Sequence, residues 1–255
     1  MWQVCAFKFV NQVFASFGAT PSTPISQPLN DSLSGVLGSL IISAIMAAVG
    51  KWGLGWNWRW VIALGSLSII AIDALVVFVT VWDVYRNQWF FNGVALAENV
   101  PSGIRFIVAT YCAVEIADTG NEGATYGLIT TVSNLASPFA SVLYKYIDSF
   151  FSVSQVDIAR DDSRVRWQVT FCFLISYAFK LMALVWLFML PPQKEAMQEL
   201  KKTGGRSKVA GGLLIAVFVV ALAFSVTTNF MSIYPSTKCY RIAGGKGTVN
   251  GSCPK

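Results

Sequence analysis

The chain has 255 residues, of which 55% are apolar and 13% charged, with a net charge of +6 and no histidine. A charged fraction about half the ~25% of soluble domains places it in the membrane class. The missing histidine excludes Ser-His-Asp and Cys-His catalysis, HExxH zinc sites and histidine proton relays.

Seven apolar segments read as candidate bilayer-spanning helices: 2–18, 33–50, 60–82, 93–117, 124–147, 167–190 and 209–232. The expected fold class is therefore all-α, a polytopic membrane protein with six or seven transmembrane helices. Residues 1–192 make a six-helix bundle in this reading. A basic cytoplasmic loop (193–208), one extra transmembrane helix (209–232) and an extracytoplasmic tail (233–255) follow.

The first segment is short and carries Lys8, Asn11 and Gln12 on a polar face. The second has Ser39, Ser43 and Ala47 at four-residue spacing, with Gly35 and Gly38 nearby, which reads as helix packing. In the third, Trp60 and Trp82 lie 22 residues apart, or ~33 Å of helix, as an interfacial aromatic belt requires. Asp73 sits near its middle. A carboxyl there is expensive to insert and reads either as a proton-exchanging group or as a structural ion pair.

The fourth segment contains Pro101, Glu98 and Arg105. Pro101 predicts a kink or interruption. Arg105 reads equally as an anchor for an anionic solute or as a counter-charge to Asp73 or Glu98. Tyr111, Glu115, Asp118 and Glu122 then fall at offsets 0, 4, 7 and 11 along one face. Glu115 is the deepest acid and belongs with the pathway candidates, whereas Asp118 and Glu122 read as a cytoplasmic gate or as helix-end contacts.

The fifth segment is the most informative. Tyr126, Thr130, Ser133, Asn134, Ser137 and Ser141 fall at offsets 0, 4, 7, 8, 11 and 15, which places them on one helical face. A polar stripe cannot face lipid without cost, so it should face other helices or water. Tyr126, Thr130, Ser133, Asn134 and Ser137 are thus candidates for lining a solute pathway. In the sixth segment Lys180 lies roughly mid-helix, one turn after Ser176, where snorkelling to the interface is difficult. If their helices meet, Lys8, Arg105 and Lys180 would give a cavity positive charge suited to a carboxylated solute.

Residues 209–237 carry no charge. In the tail, Cys239 and Cys253 can pair if that side faces an oxidising compartment. Positive residues divide almost evenly between the two sides, and the sequons at Asn30 and Asn250 lean the tail outward, where both would be glycosylation sites. Cys5, Cys112 and Cys172 lie in apolar segments and read as packing residues. No CxxC or other metal-ligand spacing occurs. Neither a metal nor a cofactor is expected, and no enzymatic activity. The basic residues sit in connections between segments rather than along one groove, which argues against a nucleic-acid partner.

Several words of the chain resemble the folate–biopterin transporter family of the major facilitator superfamily, with the closest likeness to oomycete members. They are RNQWFF (86–91), VPSGIRFIV (100–108), VEIADTGNEGATYGLITTVSNLASPFA (114–140), ISYAFKL (175–181) and LPPQKEAMQELKK (190–202). The start, WQVCAFKFVNQVF, and the tail around Cys239 are similar too, so the resemblance covers nearly the whole chain. It implies a proton-coupled symporter of pterin- or folate-like solutes working by alternating access, with the solute site between two six-helix halves. The chain resembles the C-terminal half plus one extra span. The implied partners are the lipid bilayer, a small organic solute, and an N-terminal half or second chain that completes the site. The plasma membrane is the expected location rather than an organelle membrane.

Other classes compete with this reading. A truncated or non-transporting membrane protein, or a helper subunit, would carry the same apolar segments. A channel would give downhill flux insensitive to a proton gradient. An integral membrane enzyme is disfavoured, because neither a nucleophile motif nor a metal motif is present.

Overall fold

The computed structural model describes residues 2–18, 28–53, 55–117, 120–204, 207–248 and 253. Among them the chain is all-helical and without strands. The helices are α1 (Trp2–Ala15), α2 (Pro28–Trp52), α3 (Trp58–Val81), α4 (Gln88–Ala97), α5 (Asn99–Ile116) and α6 (Glu122–Asp148). They continue with α7 (Gln155–Arg160), α8 (Ser163–Val185), α9 (Lys194–Thr203) and α10 (Lys208–Ile233). Short 3-10 turns follow α8 at Trp186–Met189 and lie in the tail at Arg241–Ala243.

Four stretches are long and apolar enough to cross a membrane: Ser32–Trp52, Trp58–Val81, Ser163–Met189 and Lys208–Ile233. The other expected spans depart from that standard for physical reasons. With 14 residues, α1 reaches only ~21 Å, short of a ~30 Å hydrocarbon layer. The segment expected at 93–117 is two helices, because Pro101 has no N–H to donate to the carbonyl of Ala97, and α4 ends there. The next bond, from Ser102 N to Glu98 O at 3.1 Å, starts α5. By contrast α6 is continuous over 27 residues through Pro138, but its hydroxyls and amides lower its hydropathy. The expected loop at 193–208 contains α9, an amphipathic helix whose Met197 is completely buried.

The chain divides into two compact units. The first holds α1, α6 from Gly127 onward, α7, α8, α10 and the tail. There α1 packs on α8 and α10. Val13 of α1 meets Ala136 and Ala140 of α6, flanked by Phe9 and Phe139. The small side chains of Ala136 and Ala140 leave room at this crossing for the Phe9 and Phe139 rings packed against it. Stacked rings of Phe17 and Phe179, 4.0 Å between centroids, close the end of α1 against α8.

In the tail, Cys239 and Cys253 form a disulfide. Arg241 lies 4.3 Å over the Phe150 ring and donates to Ser149 O at 3.2 Å, and Lys246 reaches Asp157 of α7 at 3.1 Å. The tail is therefore fastened to the ends of the helices beneath it.

The second unit holds α2, α3, α4, α5 and α9, the last following residues 187–193. Here α5 is central and packs on the other four helices. Gly103 of α5 faces Ile45 of α2, and Gly38 of α2 faces Asn99. The start of α3 is capped by the Asn57 side chain, which accepts from Arg59 N at 3.0 Å and Trp60 N at 3.4 Å. Arg59 in turn donates to the carbonyls of Leu190 and Phe188, and Trp58 N donates to Pro192 O. These bonds anchor the segment that leads into α9.

Candidate functional site

The stripe on α6 is divided by the structure. Ile129, Val132, Ala136 and Ala140 are buried and form the helix's inward face. Thr130, Ser133 and Ser137 lie half-buried at its edge, and Asn134 and Ser141 are exposed. Tyr126 is also exposed and belongs to the second unit.

Ser137 is a contact between helices. Its Oγ lies 3.0 Å from Ser16 Oγ and accepts from Gln12 Nε2 at 3.2 Å, both at the end of α1. Gln12 also donates to Ser16 Oγ at 2.8 Å. On the other side of α1, Asn11 donates to Ala183 O of α8 at 3.2 Å. The polar face read on the first segment is thus shared between α6 and α8. Lys8 is half-buried on α1.

On α8, Lys180 is half-buried with its ammonium 5.5 Å from the Tyr177 ring centroid. Ser176 Oγ, one turn earlier, donates to Phe17 O at 2.6 Å, which ties the end of α1 to α8. Lys8 and Lys180 belong to the first unit and Arg105 to the second.

In the second unit, Asp73 lies half-buried within α3. Arg105 of α5 runs across α3 at Gly65, where an added Cβ would stand 2.6 Å from Arg105 Cγ and 2.9 Å from its Cδ. Only glycine leaves that path open. Arg105 closes no ion pair among the described residues, and its Nε is buried with no hydrogen-bond partner. The expectation that it neutralises Asp73 or Glu98 is therefore not met.

Glu115 is engaged by α9. It pairs with Lys194 of α9 at 3.2 Å and accepts from Gln198 at 2.6 Å. Lys201 donates to the Ala117 carbonyl at the end of α5. Three groups of α9 and α5 thus fasten the amphipathic helix, which explains these residues without a solute.

Glu122, read as a gate, accepts from Gly120 N with both carboxylate oxygens at 3.0 Å. Bonds from its own backbone N–H and from that of Gly120 hold its carboxyl below the usual range. These bonds tie the start of α6 to the turn before it. Asp118, Asn250 and the side chain of Asn30 lie outside the described residues.

Sequence reading missed Asp148, the last residue of α6. It accepts hydrogen bonds from the Tyr144 hydroxyl and the Cys172 thiol, and both donors are buried. The signal in the sequence is its place as the first acid after segment five, directly continuing an apolar helix. No family model, no curated protein and no solved structure matches the chain.

Proposed function

We propose that the chain is the membrane-embedded half of a secondary transporter of the folate–biopterin type. In this reading it has six or seven spans and moves pterin- or folate-like organic anions with protons by alternating access. The observation that carries the reading is the exposure of Asn134 and Ser141 on α6, a helix whose opposite face is buried and apolar. An amide left at bilayer depth without cover is costly, so water or a second body must meet it. A hydrated route between this chain and a partner half supplies both.

Arg105 supports an anionic solute. A guanidinium stays ionised, and its buried Nε has no hydrogen-bond partner among the described residues. A solute carboxylate would satisfy it in a charge-assisted bond. The Cys239–Cys253 disulfide supports an outward-facing tail and a plasma-membrane location, since such bonds persist on the oxidising side.

The test replaces Asn134 with cysteine after Cys5, Cys112 and Cys172 are changed to alanine. The expected result is labelling by a water-soluble maleimide in sealed vesicles and protection by folate or a pterin. A site closed to the reagent in every condition overturns the reading. Uptake of pterins and folates into proteoliposomes, with the chain alone and with an N-terminal half supplied, then identifies the solute.

A second reading is favoured by Ser137. Its bonds to Gln12 and Ser16 show that part of the stripe holds helices together, as it would in a non-transporting helper subunit. The labelling result at Asn134 separates the two.

A further inference from the structure

Asp148 combines three features that disfavour a standing negative charge. It ends α6, at the partial negative end of the helix dipole, which disfavours an anion there. Its Oδ1 is buried and receives no hydrogen bond. No cation reaches it among the described residues, since no ion pair involves it.

The charged groups carried by the neighbouring stretches of α6, α8 and the tail are Lys145, Arg166 and Arg241, and none closes an ion pair with Asp148 among the described residues. On α6, Lys145 lies against Gly244 of the tail. On α8, Arg166 is held by Asp161 through bonds of 3.0 and 2.9 Å. From the tail, Arg241 is taken up by the Phe150 ring and the Ser149 carbonyl. Tyr144 and Cys172 are the two groups that face the carboxyl directly, and both are neutral donors. An ionised carboxylate in such a place is stabilised only by its two neutral donors, whereas a single proton removes the charge altogether.

We infer that Asp148 is a proton-binding site of this chain, with Tyr144 and Cys172 holding the carboxyl in place while it gains and loses one proton. The step is a proton transfer alone: a carboxylate and a proton give a carboxylic acid, and the reverse releases it. Tyr144 and Cys172 are positioning residues, because they act through the carboxyl. The use of this proton in transport rests on the proposed function, but the protonation itself does not. It moves the expected coupling group from Asp73, in the second unit, to the first.

The experiment is an infrared pH titration of the full chain in lipid nanodiscs, which reads the carbonyl stretch of protonated carboxyls without any solute. The expected result is a titrating band that is lost in Asp148→Asn and retained in Asp73→Asn. A band unchanged by Asp148→Asn, or one lost in Asp73→Asn, overturns the inference. If Asp148→Asn fails to fold by circular dichroism, Asp148→Glu is read instead. Its band must shift relative to the wild-type chain, and an unshifted band overturns the inference equally. Uptake is measured separately, so a titrating Asp148 in a chain that moves no solute removes the transport reading and leaves the proton site standing.

Discussion

The joint between α1 and α8 makes a sharp test of the first unit. Ser176 is 1% exposed and donates to the Phe17 carbonyl at 2.6 Å. The next residue, Gly18, has φ +157°, and a Cβ there would stand 2.5 Å from Ser176 Oγ but 3.5 Å from Ser176 Cβ. Ser176→Ala leaves a buried carbonyl without its donor, at a cost of about 1–3 kcal/mol. Gly18→Ala forces the new methyl into the hydroxyl, at about 1–3 kcal/mol of overpacking. It also places a non-glycine residue in an unfavourable backbone region, for about 1–3 kcal/mol more. In the double variant the hydroxyl is gone and the nearest atom lies at an ordinary 3.5 Å, so only the overpacking disappears. The double variant is therefore expected to lose less stability than the sum of the singles by about 1–3 kcal/mol, well outside the ~0.5 kcal/mol scatter of independent sites. Denaturant unfolding in detergent micelles, followed by circular dichroism, measures all three variants. Additivity within that scatter would refute the claim that Gly18 is required by the Ser176 hydroxyl.

Reducing the Cys239–Cys253 bond, which closes a 14-residue separation, is expected to cost the tail about 3 kcal/mol. Faster proteolysis within 241–248 checks it, and an unchanged rate refutes it. Asp157 is held at about 2 by its bond from Ser154 and then by Lys246, below its unfolded value of 3.8. Its contribution is therefore fully present above that unfolded value and disappears as pH falls through about 2. Protection factors of the tail amides should hold at about pH 5 and fall only on acidification towards pH 2; loosening near neutrality would contradict this. Met197→Ala in α9 removes a fully buried side chain and should cost about 2–5 kcal/mol, read as faster exchange at Lys194–Thr203 with α8 unaffected.

The apolar frame was legible because a bilayer writes it plainly. Helices α3, α8 and α10 are long, mostly apolar runs, and exposed Trp60 and Trp82 mark both ends of α3. The break before α5 was legible from Pro101 alone, since a missing N–H acts within its own turn. The amphipathic α9 was hidden by its charge. Ala196, Met197 and Leu200 carry the inward face, but five basic residues within 193–208 made the segment read as loop.

The site was legible in direction and not in neighbour. Periodicity places Ser133, Asn134 and Ser137 on one face, yet serine serves equally to lock two helices and to line water. Ser137 is taken by Gln12 and Ser16, while Asn134, three residues earlier, remains exposed. The same gap applies to charge. Glu115 looked deep and functional, and Lys194, a residue 79 positions away, accounts for it. Arg105 reads in sequence equally as an anion anchor and as a counter-charge, and along its path past Gly65 it closes no ion pair among the described residues. In a membrane helix a polar side chain announces that something must cover it, and only the packed neighbours decide whether that cover is protein, proton, solute or water. Asn134, Arg105 and Asp148 are among the described positions at which the protein's own groups leave that cover incomplete, so they are where a ligand has something to supply.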